Sequence, residues 1–415
     1  MRLGLEAIDA VCERLGRPER RIPSVLVGGT NGKGSTAATL SALAAAAGVR
    51  VGLYTSPHLI DVTERIRVDE ADIAPQDLDS ALAAVFSAAD EPPELPLTYF
   101  EALTAAAFVA FAERRLDLAI LEVGLGGRFD ATNIAPARLA VVTSIGLDHT
   151  AELGPTVQRI ASEKAGIFRA RRPALCRAED VEARATLAGA ALAAGAVWHD
   201  AAEELRVEVE EISLDGTRFR LTTPLRAAAL WTPLAGAHQA WNAALAVRSA
   251  ELLAEDEPRL GRASDAAEGL ARVRWPGRLE GRGAGGRLVL LDGCHNPDGA
   301  QALARFLTAS GLGGRCHLVF GAMADKDIES IAARLFPVAA SVHLASAASP
   351  RAAGGEELVR RVAAFAPGAT SSAGAAAALE RALALPGSDP IIVAGSLYLV
   401  GEARAWLLAK ERGTA

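Results

Sequence analysis

Short runs in which nearly every position is apolar recur along the chain, separated by alanine-rich stretches. Ser24–Val27, Val49–Tyr54, Leu116–Val123 and Leu139–Ile145 form a first set. Strands that are apolar on both sides, with helical stretches between them, predict a parallel sheet covered on both faces. The pattern changes over residues 203–231. There Leu205-Arg-Val-Glu-Val-Glu and Arg218-Phe-Arg-Leu alternate polar with apolar, which predicts short antiparallel strands appended to that sheet. A second strand–helix series begins at Leu288–Leu291 and continues through His317–Phe320, Val342–Ala345 and Ile391–Ala394. Between the two series lie Arg274-Trp275-Pro276-Gly277-Arg278 and the glycine-rich Gly281–Gly286, read as a linker. The expected architecture is α/β in two domains. Residues 1–275 form a larger domain with a parallel sheet and a small antiparallel one, and residues 276–415 a smaller Rossmann-like domain.

The first apolar run, Ile22–Val27, leads into Gly28-Gly29-Thr30-Asn31-Gly32-Lys33-Gly34-Ser35-Thr36 and then into a helix-prone segment. Strand, glycine loop, helix is the order a nucleoside triphosphate site needs. Glycines let backbone N–H groups turn inward around phosphate oxygens, and the helix N-terminus adds its positive dipole end. Lys33 is placed to reach the β- and γ-phosphates, and a following hydroxyl to serve a magnesium ion. Gly34 separates Lys33 from Ser35, a departure from the general G-x-x-x-x-G-K-[ST] pattern.

Two further segments sit at strand ends, where ligands gather in open α/β sheets. Glu122 closes an apolar strand and opens Glu122-Val-Gly-Leu-Gly-Gly-Arg-Phe-Asp-Ala-Thr-Asn133. A carboxylate there, beside a phosphate loop, suits a magnesium ion held against ATP oxygens. Ser144-Ile-Gly-Leu-Asp148-His149 ends another strand, but histidine is an uncommon ligand for a hard cation, and on its own His149 reads as an ordinary loop residue. Glu163-Lys164 on its own reads as a solvated helix face.

Half of the 415 residues are hydrophobic and the net charge is −7, with no basic block. A general nucleic-acid track is therefore not expected, and an anionic nucleotide needs a local site. Four scattered cysteines, no C-x-x-C pair and no basic-then-apolar leader fit reduced thiols in a cytoplasm. The longest charge-free stretch, Val362–Leu379, is too polar to span a bilayer.

Taken together, the motifs resemble the folylpolyglutamate synthase/dihydrofolate synthase family within the Mur-ligase superfamily. They are Leu3-Gly-Leu-Glu6, Gly29–Ser35, Thr55-Ser-Pro-His-Leu59, Glu122–Asn133, Thr143–Thr150, Glu163–Ile167, Gly236-x-His238-Gln-x-x-Asn242, Trp275-Pro-Gly-Arg278, Asp292-Gly-Cys-His-Asn-Pro297 and Gly395-Ser-Leu-Tyr398. They follow family order over nearly the whole chain. The resemblance implies a P-loop ATPase domain followed by a ligase domain, and it implies residue roles. Gly32, Lys33, Gly34 and Ser35 wrap the ATP phosphates. Ser56, Glu122 and His149 bind two magnesium ions, with Glu122 shared, and a carbamylated Lys164 supplies anionic oxygens. Asn242, Arg278, Asp292 and His295 contact the nucleotide, and Thr98, Tyr99, Phe100, Glu101, Phe129, Asp130 and Ala131 shape a pterin-side pocket. Cys294 stands where alanine is usual, and is read as a small buried residue. Phe129 stands where leucine is frequent. Trp231 and Trp241 are read as packing.

The activity so implied joins a pteroate or folate carboxylate to L-glutamate through an acyl phosphate, with Lys33, Glu122, His149 and Lys164 in catalytic roles. Thr55-Ser-Pro-His58-Leu59 resembles the version common in bifunctional enzymes, which favours both dihydrofolate synthase and folylpolyglutamate synthase activity over either alone. The resemblance also suggests a monomer. A cell-wall Mur ligase fits less well, because of the Glu122–Asn133 segment and the lack of an additional N-terminal nucleotide-binding domain. A nucleotide switch has no need of Ser56, His149, Lys164 and the second-domain motifs. A nucleic-acid motor lacks its basic track.

Overall fold

The computed structural model describes residues 4–413; of the motif Leu3–Glu6, Leu3 lies outside them. Three sheets organise the chain. The first has eight strands: β1 (Ser24–Gly28), β2 (Val51–Tyr54), β3 (Ile66–Val68), β4 (Ala71–Asp72), β5 (Leu118–Glu122), β6 (Leu139–Val142), β7 (Pro173–Cys176) and β8 (Val197–Asp200). Their order is β4-β3-β2-β5-β1-β6-β7-β8. β2, β5, β1, β6, β7 and β8 run parallel, while β3 and β4 add an antiparallel edge. The four strands read from the sequence are all present, and they form the fully buried centre. β3, β4 and β8 escaped the apolar-run pattern because each is partly exposed.

The alternating segment forms β9 (Arg206–Ser213), β10 (Gly216–Thr222) and β11 (Ala227–Thr232), all antiparallel. They make a separate three-stranded sheet and are not appended to the first, as the sequence had suggested. Along β10 the buried positions alternate with exposed ones, leaving one face for the core and one for water. Phe219, Leu221 and Leu230 on the covered face join a core with the helices Lys33–Ala46 and Ala237–Leu253, which also covers one face of the large sheet. The helix Ala237–Leu253 thus lies between the two sheets and packs along the helix that starts at the phosphate loop.

A buried charge network locks this arrangement. The Glu251 carboxylate, fully buried, accepts from Thr223 Oγ1 at 2.8 Å, Arg226 Nε at 2.7 Å and Arg248 Nη1 at 3.2 Å. Arg248 in turn donates to Glu204 at 2.8 Å. Removing one partner strands the others without water. We expect Glu251→Ala to destabilise the fold by about 3–5 kcal/mol, read as a lowered midpoint in urea unfolding; a midpoint equal to wild type would show that the network contributes nothing.

The last sheet contains β12 (Glu280–Ala284), β13 (Arg287–Leu291), β14 (Cys316–Phe320), β15 (Ala339–Ala345), β16 (Ser371–Ser372) and β17 (Ile391–Ala394), in the order β12-β13-β17-β14-β15-β16. The glycine-rich Gly281–Gly286, expected to be linker, is mostly strand. Gly281, Gly283 and Ala284 pair antiparallel with β13, and Gly285-Gly286 make the turn at positive φ. A lone edge strand with one partner tolerates glycines that a central strand would not. All four cysteines are buried and unpaired, Cys294 among them, and burial raises its thiol pKa well above the usual range. Among the described residues, no helix is long and apolar enough to cross a membrane.

Candidate active site

The phosphate loop starts where β1 ends and closes at the first residue of the helix Lys33–Ala46. Gly32 takes a φ of +85°, and a Cβ there would sit 2.4 Å from Asn242 Oδ1, so both backbone and space require glycine. Gly34 has a different reason. A Cβ on it would come within 2.6 Å of the Trp275 ring, so the residue that breaks the general loop pattern makes room for an indole. The loop is held by the chain following β6: Thr30 N donates to Ser144 O at 2.8 Å, Asn31 N to Ser144 Oγ at 2.9 Å, and Thr143 Oγ1 to Asn31 O at 2.6 Å. Lys33 Nζ donates to two loop carbonyls, Gly29 O at 3.0 Å and Thr30 O at 3.1 Å. Burial lowers its pKa, opposed by the charges of Glu122 and Asp148.

Glu122, the last residue of β5, is buried and accepts a hydrogen bond from Ser56 N at 3.0 Å. Burial raises its pKa, while Lys33 and the Ser56 N–H pull it down. His149 lies in the left-handed region at φ 51°, just before the short helix Thr150–Leu153. Burial and the Lys326 ammonium lower its pKa, favouring a neutral imidazole. Lys164 does not lie on a solvated helix face. It is buried, and its Nζ donates to Gly29 O at 2.8 Å. Burial pushes its pKa down to about 7, with Lys33 adding in the same direction. Among the described residues no three His, Cys, Asp or Glu side chains gather as a metal cage. Magnesium takes one or two protein carboxylates and completes its shell with water and phosphate. A buried, half-satisfied carboxylate beside the phosphate loop is the donor such an ion needs.

Opposite lies the apolar pocket. Thr98 and Glu101 form a capping box, Glu101 Oε2 accepting from Thr98 N at 2.8 Å and Thr98 Oγ1 at 2.7 Å. The cap fixes the helix start that presents Tyr99, which is 61% exposed, and Phe100. Asp130 accepts from Gly124 N, Leu125 N, Thr132 N and Thr132 Oγ1, at 2.6–3.0 Å. Its carboxylate therefore shapes the Gly124–Thr132 loop, which carries the half-exposed Phe129 and the buried Ala131. From the six-stranded sheet come Asp292, whose oxygens accept from Leu279 N at 3.1 Å and Cys294 N at 3.0 Å, and His295, whose Nδ1 lies 3.0 Å from Gly293 O. Arg278 Nη1 donates to Gly277 O at 3.0 Å. Of the residues given site roles from the sequence, all but the buried Lys164 line one cavity of about 1990 Å³.

Residues 27–250 match the Mur ligase middle domain, and residues 277–397 match the domain described as Mur ligase, glutamate ligase domain. The dihydrofolate synthase/folylpolyglutamate synthase of Bacillus subtilis is 36% identical over 86% of this chain and 84% of its own. The chain belongs to the folylpolyglutamate synthase/dihydrofolate synthase family. Among solved structures, Escherichia coli FolC in complex with DHPP and ADP superposes with a TM-score of 0.88 at 34% identity, covering 99% of this chain and 94% of that one. A bifunctional folylpolyglutamate synthase/dihydrofolate synthase with Mn, AMPPNP and L-glutamate bound gives 0.86 at 32%, covering 98% and 95%.

In this family member the two halves meet through Lys326, which sequence reading passed over, and through Asn296, which it quoted within a motif without a role. Lys326 is buried, donates to Asp148 Oδ1 at 2.6 Å, and lies 3.4 Å from His149 Nε2. Asn296 Nδ2 donates to Asn31 Oδ1 at 2.9 Å and Asp148 Oδ2 at 3.2 Å. Although burial raises the Asp148 pKa, His295 and the Lys326 ammonium hold it well below the usual carboxylate range. Asp325-Lys326-Asp327 looks like any polar turn in the sequence, and nothing there marked the lysine. Trp241, read as packing, lines the cavity with Arg177 stacked on its ring at 4.5 Å; Trp231 is partly buried on β11.

Proposed function

We propose that this family member is an ATP-dependent ligase that adds L-glutamate both to dihydropteroate and to reduced folates. One observation carries the reading: the phosphate loop, the buried Glu122 and the aromatic pocket share a single cavity, closed by residues of the six-stranded sheet. The acid's carboxylate oxygen attacks the γ-phosphorus of ATP, the bond to the β,γ-bridging oxygen breaks, and ADP leaves. The α-amine of glutamate then attacks the acyl phosphate carbon. The tetrahedral intermediate collapses to the amide with loss of phosphate and of one proton from nitrogen.

Gly32, Lys33, Gly34 and Ser35 hold the phosphates, Lys33 exchanging its loop carbonyls for phosphate oxygens as charge moves. Asn242, Arg278, Asp292 and His295 hold the rest of the nucleotide. Thr98–Glu101 and Phe129–Ala131 surround the pterin. Two magnesium ions, held by Ser56, Glu122, His149 and a carbamylated Lys164, would supply charge neutralisation on the transferred phosphoryl group. Lys164 favours the modification, because a pKa of about 7 leaves much of its amine neutral and nucleophilic. Lys326 and Asn296 pull the second domain against Asp148, excluding water that would hydrolyse the acyl phosphate. We place the domain division at residues 275/276, since no strand of the six-stranded sheet begins before Glu280. We read the protein as a monomer on the family resemblance alone.

The test is phosphate release with Mg-ATP and glutamate, on dihydropteroate and on a reduced monoglutamyl folate, with product masses. Turnover on both is expected. Turnover on one alone would select a single activity, and phosphate release independent of glutamate and acid would favour a nucleotide switch.

A further inference from the structure

Arg65 lies between the Ser56 segment and the aromatic pocket, just before β3. It is 8% exposed and lines the cavity. Its backbone carbonyl accepts from Thr55 N at 2.9 Å, tying it to the strand end that carries Ser56. Its guanidinium Nε donates to His58 Nδ1 at 3.0 Å, and its Cζ stands 5.4 Å from the centroid of the Tyr99 ring. Among the described residues no carboxylate lies within ion-pair distance of it. The adjacent Glu64 is already committed, accepting from Leu59 N at 2.8 Å and from Ile60 N and Asp61 N at 3.1 Å.

A guanidinium taken out of water without an anion is costly, and the cost is recovered when an anion binds. Because the guanidinium has no acceptor, the His58 ring must receive the Nε proton at Nδ1 and carry its own on Nε2. With Nε engaged, the two terminal nitrogens have no hydrogen-bond partner among the described residues, and on a residue that lines the cavity such a planar pair of donors matches a carboxylate. We propose that Arg65, aimed by His58, recognises the carboxylate end of the acid substrate. The ligase reading is the basis for naming that anion: the pterin ring lies at Tyr99 and Phe129, the phosphates at Lys33, and the carboxylate has to pass between them. Arg65 is the substrate-binding group and His58 a positioning residue.

The experiment compares binding of dihydropteroate with that of its neutral primary carboxamide, on the full-length protein with ADP present. Wild type is expected to prefer the acid. Arg65→Met should cut that preference by about 10–100-fold while leaving carboxamide affinity unchanged. Arg65→Gln should do the same, and serves if the methionine variant does not fold. His58→Phe, which removes the acceptor, should raise the KM for the acid more than it lowers kcat, and His58→Asn, which restores an acceptor oxygen, should recover part of the loss. An unchanged preference in both Arg65 variants, or equal weakening of both ligands, overturns the proposal while leaving the ligase reading intact. Failure of wild type to bind either ligand removes the ligase reading and this inference together.

Discussion

Lys33→Ala is expected to lower ATP-dependent ligation on the order of 10³-fold with the fold intact. The lysine contributes little to stability, because its amine is half-buried and bonded only to carbonyls of its own loop, Gly29 O and Thr30 O. Those carbonyls serve as a holding place. The loop that binds phosphate by its N–H groups keeps its one ammonium folded onto its C=O groups, and burial has already depressed the amine's pKa. Phosphate oxygens reverse that, since an anion beside the amine favours its charged form. The gain is largest when the γ-phosphoryl is in flight and its charge is spread over equatorial oxygens, so kcat should suffer more than nucleotide affinity. Phosphate release at saturating substrates, with circular dichroism as the fold control, checks this. A loss smaller than about 10-fold, or under 1.4 kcal/mol of barrier, would remove Lys33 from the chemistry.

The second large effect concerns Lys164. We expect Lys164→Met to reduce ligation by on the order of 10²-fold or more, as loss of a metal-supporting group does, and to abolish any response to bicarbonate. The sign of the pH effect follows from its pKa, depressed from 10.5 to about 7 by burial and by Lys33. The neutral amine, which alone reacts with carbon dioxide, therefore rises from a minor to a major fraction between about pH 6 and pH 8. Wild-type protein stripped of carbon dioxide should accordingly recover activity with added bicarbonate, and faster at the upper end of that range. Labelled bicarbonate should give one carbamate carbon signal that is absent from the variant. Full activity in Lys164→Met would end the proposal, as would a wild-type carbamate signal that appears with no change in rate.

The parts of the fold that sequence made legible are those where one physical demand acts alone. β1, β5 and β6 are buried on both faces and had to be apolar throughout; the edge strands β3, β4 and β8 answer to water as well, and their patterns blur. β12 was hidden by glycines that only an edge position tolerates. At the site, Gly32 and Lys33 were readable because a phosphate cradle constrains neighbouring residues. Glu122 gained meaning from its place at a strand end. Lys326 and Arg65 carried no such local signal, and Asn296 was legible only as a member of the Asp292–Pro297 motif: their contacts are with partners 7 to 265 residues away, and separations of that kind are fixed by topology. Lys164 shows the same limit from the other side. Its neighbours in sequence suggest a wet helix face, and its neighbours in space bury it.

The position of β17 carries a consequence for how the protein comes into being. It is the last of the six strands of its sheet to be synthesised, yet it lies between β13 and β14 at the centre. During translation the phosphate loop and its large sheet emerge first, while β13 and β14 wait without the strand that joins them. The wall bearing Arg278, Asp292, His295 and Lys326 cannot take shape until residues 391–394 have left the ribosome. A nascent chain can therefore meet ATP long before it owns the surfaces that complete the cavity, and strand order itself delays phosphoryl transfer until β17 has been made.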